Sequence, residues 1–215
     1  MRRLPFDLEQ GVYLQADAAL LTGLPRTTVR RWIQLERGEA DISAVADQPL
    51  VSFLDLISLR AVAAFRKLGL KMNQVRSGAQ YMRDQLDIEY PLALEALKTD
   101  GVNMYFVHGA YLLAVDAGGQ VAAQEIVSRY LRDVVYESLA DDHRLATSCE
   151  PAGVSIDPRF QRGAPCVAGS RVQVALLQGY VNAGDPLERL ADLFELDRED
   201  VRRALHWYEG LKRAA

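Results

Sequence analysis

Apolar residues recur every three to four positions over much of this chain, and that pattern predicts a mainly α-helical protein. Helical spacing runs from Leu54 to Leu68, where Gly69 ends the helix. A second helix follows from Met72 to Leu86, with its two methionines serving as core residues. Three more helical patterns lie near the C-terminus, at about 173–182, 186–194 and 198–211.

The middle of the chain interrupts this helical pattern with one predicted β-hairpin. Two β-prone runs, VNMYFV and AYLLAV, flank His108–Gly109, and a glycine-containing two-residue turn between such runs is typical of a hairpin. We therefore interpret His108 as a turn residue and not as a catalytic base. A helix is predicted over about 121–135, and the polar stretches 34–49 (a loop or wing) and 136–152 are predicted as loops.

The N-terminal segment has the spacing that a helix-turn-helix requires. Counted from Gln15, a small residue stands fifth, a glycine ninth, and apolar residues tenth, fifteenth and eighteenth: Ala19, Gly23, Leu24, Val29 and Trp32. The small residue lets two helices cross closely, the glycine permits a turn with positive φ, and the apolar residues hold the second helix on the first. Pro25 stands where that second helix begins, which is a favoured place for proline.

The outward side of this second helix is basic and polar. No acid lies between Leu24 and Leu35, and the candidate DNA-contacting residues are Arg26, Thr27, Thr28, Arg30 and Arg31. Arginine pairs with guanine or phosphate, and threonine contacts phosphate or a thymine methyl group. The alternative is a solvated helical face without a ligand. The segment resembles the helix-turn-helix of MerR-like regulators and of the N-terminal domains of certain antitoxins, although the long dimerising coiled coil of typical MerR regulators is missing.

Composition is that of an ordinary globular protein, but charge is unevenly distributed. The 215 residues include 49% apolar and 25% charged side chains, which excludes disorder as the main state, and no apolar run is long enough to span a membrane. No secretory signal is present, so a cytoplasmic protein is expected. The net charge is −4, yet residues 1–37 hold six basic and four acidic side chains, whereas residues 185–209 hold four basic and eight acidic ones.

No enzyme is predicted, because the chain has no GxSxG or HExxH motif, no phosphate loop and no dinucleotide fingerprint. The two cysteines, Cys149 and Cys166, lack the spacing of a zinc site and are expected to be reduced and structural. The run Asp141-Asp142-His143 is more typical of a solvated loop than of a metal site, since adjacent residues seldom point at one ion. We therefore expect no catalytic residues, no metal and no cofactor.

The C-terminal segment resembles the family catalogued as domain of unknown function 433. The resemblance rests on Ser155-Ile-Asp-Pro158, Gly163-Ala-Pro-Cys-Val-Ala-Gly-Ser-Arg-Val172, Gly184-Asp-Pro-Leu-Glu-Arg-Leu-Ala191 and Arg198-Glu-Asp-Val-Arg-Arg-Ala-Leu205. It implies a small tri-helical, homeodomain-like domain. The predicted organisation is thus a helix-turn-helix region (1–48), a helical body with a β-hairpin (49–150) and a C-terminal domain (151–215).

The combination of these parts resembles VapB-type antitoxins, and the middle, including LVSFLDLISLRAVAAFRKLGL, extends the resemblance over most of the chain. The resemblance implies an antitoxin of a type II toxin–antitoxin pair. Such a protein neutralises a PIN-like ribonuclease toxin by direct binding and represses its own operon, as a homodimer on operator DNA and in a hetero-oligomer with the toxin. The alternative is a stand-alone MerR-like regulator without a toxin.

The acidic C-terminal unit would repel phosphates, so we expect it to contact protein and not DNA. The candidate toxin or dimer contacts are Arg171, Trp207, Tyr208, Leu211, Lys212 and Arg213. The two aromatic residues and Leu211 are equally suited to closing the small core of the domain, and Arg171 is equally suited to structural hydrogen bonding. An arginine or lysine that reaches the toxin's carboxylates would be a mode of inhibition.

Overall fold

The computed structural model describes residues 6–37, 44–45, 48–99, 102–108, 111–121, 134–140 and 143–214, and within them the fold is mainly α with some β. The helices are α1 (Phe6–Glu9), α2 (Gln15–Thr22), α3 (Arg26–Arg37), α4 (Phe53–Lys67), α5 (Met72–Leu86), α6 (Val174–Asn182), α7 (Leu187–Leu193) and α8 (Arg198–Ala214). The strands are β1 (Ala44–Val45), β2 (Gln48–Pro49), β3 (Leu97–Thr99), β4 (Met104–His108), β5 (Tyr111–Ala114), β6 (Gln120–Val121), β7 (Val134–Ala140), β8 (His143–Cys149), β9 (Val154–Ser155) and β10 (Cys166–Val167). Short 3-10 turns lie at Pro91–Ala93, Val115–Ala117 and Gln161–Gly163.

Helix α4 forms the centre of the core. Most of its first three turns are buried, because apolar residues occupy nearly every position and not only one stripe. Ser52 caps its start: the Ser52 hydroxyl accepts a hydrogen bond from the Asp55 amide, and the Asp55 carboxylate accepts one from the Ser52 amide. Helices α1, α2, α3 and α5 all pack against α4. Helices α4 and α5 begin and end within one residue of the positions predicted from the sequence.

The predicted hairpin is present, and it belongs to a larger sheet. Strands β4 and β5 pair antiparallel with His108 opposite Tyr111, so His108 lies at the end of a strand, while Gly109 falls outside the described residues. Strands β3 and β6 extend the hairpin to a four-stranded antiparallel sheet in the order β3-β4-β5-β6. The sequence therefore predicted only the central hairpin of this sheet and missed its two outer strands.

Two further predictions, for residues 134–140 and 143–149, were wrong. The segment predicted as the end of a helix and then a loop forms the antiparallel pair β7–β8. The physical reason is visible in the burial of β7, where Val134 and Tyr136 face the core while Val135 and Glu137 are exposed. That alternation fits a strand with one buried face. Residues 122–133 of the predicted helix, with Asp141 and Asp142, lie outside the described residues.

The C-terminal helices α6, α7 and α8 begin and end close to the predicted positions. Their shared core consists of buried apolar side chains from all three helices: Val174, Leu177, Leu190, Ala191, Val201, Ala204 and Leu205. Helix α8 also packs on α2, and buried residues on both sides of residue 150 belong to one hydrophobic cluster. The division into three regions stays a prediction. Within the part of the chain that is described, no helix has both the length and the apolar character needed to cross a membrane.

Candidate nucleic-acid and partner-binding surfaces

Helices α2 and α3 are joined by a sharp turn at Gly23. Gly23 has φ +67° and ends α2 in the left-handed conformation that glycine adopts without strain. The Thr22 hydroxyl donates to the Ala18 carbonyl at 2.7 Å and closes the last turn of α2. On the inner side of the pair, Ala19, Val29 and Trp32 are buried. The residues chosen from their spacing thus hold the two helices together.

The opposite side of α3 faces solvent. Arg26, Thr27, Arg30 and Arg31 are exposed, and Thr28 is partly buried. Among the side chains that the structure describes, none pairs with any of the three arginines. A row of cationic side chains on one helix face, with no ion-pair partner among the described side chains, is able to attract an external anion such as a phosphate backbone.

The candidate contact residues of α8 divide between the interior and the surface. Trp207 and Leu211 are partly buried and, with Leu21, line a groove of about 430 Å³ between α2, α4 and α8. Tyr208 is partly buried as well, and the pKa of its hydroxyl is raised by burial and by the nearby charge of Asp17 on α2. Trp207 and Tyr208 also pack against the hydrophobic core and so help to fix α8, whereas Leu211 lines the open groove.

The charged candidates Arg171, Lys212 and Arg213 are exposed, and each contacts a neighbouring side chain. The Arg171 guanidinium lies 4.8 Å from the ring centre of Phe160, which is itself 41% exposed. The Lys212 ammonium lies 4.7 Å from the ring centre of Tyr208, and Arg213 pairs with Glu209 at 3.4 Å. The Arg171–Phe160 pair therefore presents a cation and an aromatic ring side by side on the surface. Phe160 was not among the predicted contacts, since a single aromatic residue in a loop gives no periodic signal.

A polar cluster around the buried Asp157 ties the C-terminal segment to the rest of the molecule. Arg159 donates to the buried Asp157 carboxylate through Nε at 2.9 Å and Nη2 at 2.7 Å, and this hydrogen bonding raises the pKa of Arg159. Arg159 also lies 3.6 Å from Glu137 on β7. Asp157 belongs to the Ser155–Pro158 motif, on which the family resemblance partly rests. Its carboxylate holds the Arg159 side chain next to Glu137 of β7.

The hydroxyl of Tyr13 makes a second connection between the C-terminal segment and the rest of the molecule. It donates a hydrogen bond of 3.0 Å to the Gly163 carbonyl, across 150 positions of sequence. Burial, with smaller contributions from Cys149 and Asp157, raises the pKa of Tyr13 well above its ordinary value. Cys149 and Cys166 are both buried and not joined in a disulfide, as expected from the sequence. In the described part of the chain, no three potential ligands are grouped as a metal site would require.

Comparison with known proteins extends these observations. The family described as "Protein of unknown function (DUF433)" matches residues 154–208. A Mycobacterium tuberculosis protein named "Putative antitoxin VapB45" is 28% identical over 235 residues, covering 94% of this chain and 95% of that protein. A second protein of the same organism, "Uncharacterized protein Rv2308", is 24% identical over 93% of this chain and 91% of its own length. The crystal structure of Rv2018 from that organism matches with a TM-score of 0.66 at 24% identity, covering 92% of this chain and 98% of that one. The chain therefore shares the fold of that structure and resembles, over almost its whole length, a protein named as an antitoxin.

Proposed function

We propose that this protein is the antitoxin of a type II toxin–antitoxin pair and acts by binding, without a catalytic activity of its own. In this proposal it neutralises a PIN-like ribonuclease toxin by direct contact and represses its own operon through α2 and α3, which act as a helix-turn-helix. The observation that carries the proposal is the full-length similarity to VapB45, which includes both terminal regions. A match confined to residues 154–208 would have supported only a shared domain.

Repression is supported by the charge and exposure of α3. The helix presents Arg26, Arg30 and Arg31 to solvent, while Val29 and Trp32 fix its other side in the core. A helix held in this way can enter the major groove as a rigid body, with arginine contacting bases or phosphates. Because one helix-turn-helix makes few base contacts, we expect two copies of the chain on two half-sites of the operator.

The DNA proposal is tested with the double variant Arg30→Ala/Arg31→Ala. Both side chains are exposed, so the variant should fold normally and should lose operator binding, because each base-contacting arginine contributes about 1–3 kcal/mol. The matched control is Arg202→Ala/Arg203→Ala, an adjacent exposed pair on α8. Mobility-shift or anisotropy titrations on the chain's own promoter measure the effect. Equal binding by the two double variants would contradict the assignment of α3.

Toxin binding is supported by the exposed cations of the C-terminal segment. A PIN-like nuclease has an acidic, metal-dependent site in this proposal, and an arginine fits such carboxylates in a bidentate geometry. Arg171 is the best placed of the candidates, because its guanidinium is exposed and its partner Phe160 offers apolar contact area beside it. Lys212 and Arg213 are exposed secondary candidates, as is Leu211 in the open groove, whereas Trp207 and Tyr208 act mainly by holding α8 in place.

The toxin proposal is tested by co-expression with the neighbouring open reading frame. The wild-type chain should rescue growth and co-purify with the toxin, while Arg171→Ala combined with Phe160→Ala should lose co-purification and remain able to bind the operator. Arg189→Ala is the control, since Arg189 is an exposed arginine of the same segment with its own partner, Asp185. A neighbour that is harmless when expressed alone would refute the antitoxin role and favour the stand-alone regulator.

A further inference from the structure

The groove between α2, α4 and α8 has the dimensions of a small-molecule site. Its volume is about 430 Å³, and sites for small molecules in proteins commonly measure about 300–1,000 Å³. Its walls come from these three helices and from the segment that contains Pro151 and Ile156. Parts of the chain that are far apart in sequence therefore meet around one concave space.

The walls of the groove are mainly apolar. Leu21 lies on α2, Leu56 on α4 and Ile156 after β9, while α8 contributes Trp207 and Leu211. Leu56 and Ile156 also belong to the buried core, whereas the side chains from α2 and α8 are partly open to solvent. Such walls favour a ligand whose body is aliphatic or aromatic.

One side of the groove is cationic. Arg60 and Lys67 lie two turns apart on the same side of α4, and both line the groove. Between them, Ala63 and Ala64 have small side chains that leave room for a ligand. Among the described residues that line the groove, these two cations are the charged ones, and no carboxylate is present. The lining therefore combines apolar walls with positive charge on one side.

The position of Arg60 within α4 is unusual for a cation. Lys67 lies in the last turn, where a positive charge compensates the helix dipole. Arg60 lies in the middle of the helix, where the dipole gives no such reason. Within residues 53–65 the other charged residue is Asp55, which caps the helix. A guanidinium has N–H donors on several nitrogen atoms, so Arg60 can donate to a ligand as well as to its own chain.

The acids near the groove leave its cationic side intact. Glu209 forms an ion pair within α8. Asp17 acts on Tyr208, and a lysine ammonium lies 4.7 Å from the ring centre of that tyrosine. Glu150 is exposed and precedes Pro151. These three acids are not part of the described lining, so the surface that a ligand would contact carries positive charge alone.

We propose that this groove binds a small organic anion, a carboxylate with an aliphatic or aromatic body. The body lies against Trp207 and the apolar walls, and the carboxylate faces α4, where Arg60 and Lys67 can donate to it. Thr22 and Gly23 also border the groove, so the ligand contacts the turn that joins α2 to α3. The proposal goes beyond the antitoxin function and does not depend on it.

The test is a fluorescence titration of the full-length chain with octanoate, in which Trp207 is the reporter. Octanamide is the uncharged control with the same carbon chain, and octylamine carries the opposite charge. Octanoate should change the fluorescence saturably and bind at least about tenfold more tightly than octanamide, because only a carboxylate pairs with the two cations. Octylamine should not bind. Trp207→Phe should remove the response, since the other tryptophan, Trp32, is buried in the core.

Two pairs of variants locate the binding site, and calorimetry measures their affinities. Lys67→Gln should weaken octanoate binding about threefold or more. Arg66→Gln is the matched control, because Arg66 is the adjacent exposed cation of α4 and lies outside the lining. Leu211→Glu should abolish binding by placing a carboxylate in the groove, whereas Leu211→Gln has nearly the same shape and should retain it. Circular dichroism checks that all variants are folded.

Several outcomes would overturn the proposal. Octanoate binding that is no tighter than octanamide binding would show an apolar crevice without anion recognition. Equal weakening in Lys67→Gln and Arg66→Gln would show attraction to the surface in general. A wild type that does not bind octanoate, together with loss of toxin co-purification in Leu211→Glu, would assign the groove to the toxin. Failure of the wild type to rescue growth from the toxin counts against the proposed function alone, because the titration contains no toxin.

Discussion

Loss of the Tyr13 hydroxyl should measurably weaken the connection between the N-terminal helices and the C-terminal segment. Tyr13→Phe removes one oxygen and keeps the ring, whose position is fixed by backbone hydrogen bonds between Tyr13 and Val51 of 3.0 and 2.9 Å. The ring is 5% exposed, and its hydroxyl donates to the buried Gly163 carbonyl at 3.0 Å. The substitution therefore isolates a single long-range hydrogen bond.

The expected cost follows from what happens to the acceptor. A typical net hydrogen bond contributes about 0.5–1.5 kcal/mol, and a buried acceptor that is left without a donor costs about 1–3 kcal/mol. We expect Tyr13→Phe to lower the free energy of unfolding by about 1–3 kcal/mol. Urea titration should show a lower midpoint with an unchanged m-value, because the surface exposed on unfolding stays the same. Thermal unfolding should shift by about 2–4 °C for each kcal/mol in a chain of this size.

A double-mutant cycle with Gly163→Ala tests whether the two positions act together. Gly163 has φ +73°, and an added Cβ would overlap the Tyr13 hydroxyl oxygen and lie 2.8 Å from Cζ. Gly163→Ala alone should therefore destabilise strongly, and the double variant should be more stable than the sum of the single effects predicts, because the nearest clashing atom is gone. Additive effects, or a Tyr13→Phe variant with unchanged stability, would refute the contact.

The same hydroxyl should also affect stability at alkaline pH. Burial raises the pKa of Tyr13 in the folded chain, while an unfolded tyrosine ionises near its ordinary value of about 10. Its contribution is thus complete below pH about 10 and is lost as the pH rises above that value, since only the unfolded state then releases the proton. Unfolding of Tyr13→Phe should show a shallower loss of stability with rising pH than the wild type. An identical slope would contradict the burial of the hydroxyl.

Three further substitutions or treatments test other parts of the structure. Ser52→Ala should destabilise by about 1–2 kcal/mol in urea titrations, because it removes the α4 cap and leaves the buried Asp55 carboxylate without the Ser52 hydroxyl at 2.7 Å. Asp157→Asn should cost about 1–2 kcal/mol, because it removes the carboxylate charge and one of the two oxygens that accept hydrogen bonds from the half-exposed Arg159. A thiol reagent should label neither of the two cysteines before unfolding, since both are buried and burial raises the pKa of Cys166. Rapid labelling of the native chain would contradict this.

The long helices could be predicted because local sequence is sufficient to determine them. Helices α4 and α5 have apolar residues at helical spacing over four turns, and a glycine follows α4. The α2–α3 pair could be predicted from five positions, since a left-handed glycine and buried residues at fixed spacing leave few other arrangements. The exposed side of α3 followed directly, because fixing the inner residues of a helix also fixes its outer ones.

The strands β7 and β8 could not be predicted in the same way. The β7 sequence VVYESLA has an apolar pair before its first polar residue, so no clear alternation marks it as a strand. Its alternation appears only after the partner strand and the core fix which side is buried, as Val134 and Tyr136 show. Strand pairing is non-local and depends on packing that a single segment does not encode.

The candidate contact residues show a related limit of sequence patterns. An apolar stripe on a helix indicates that something covers it, but the same stripe serves an internal or an external partner. On α8, Trp207 and Tyr208 pack against the chain's own hydrophobic core, whereas Leu211 lines the open groove beside α2. On α6 the opposite holds: Leu177 is covered internally, while Leu176 and Tyr180 are left exposed by the same chain. Only the tertiary structure separates apolar residues that are covered within the chain from those that are left exposed.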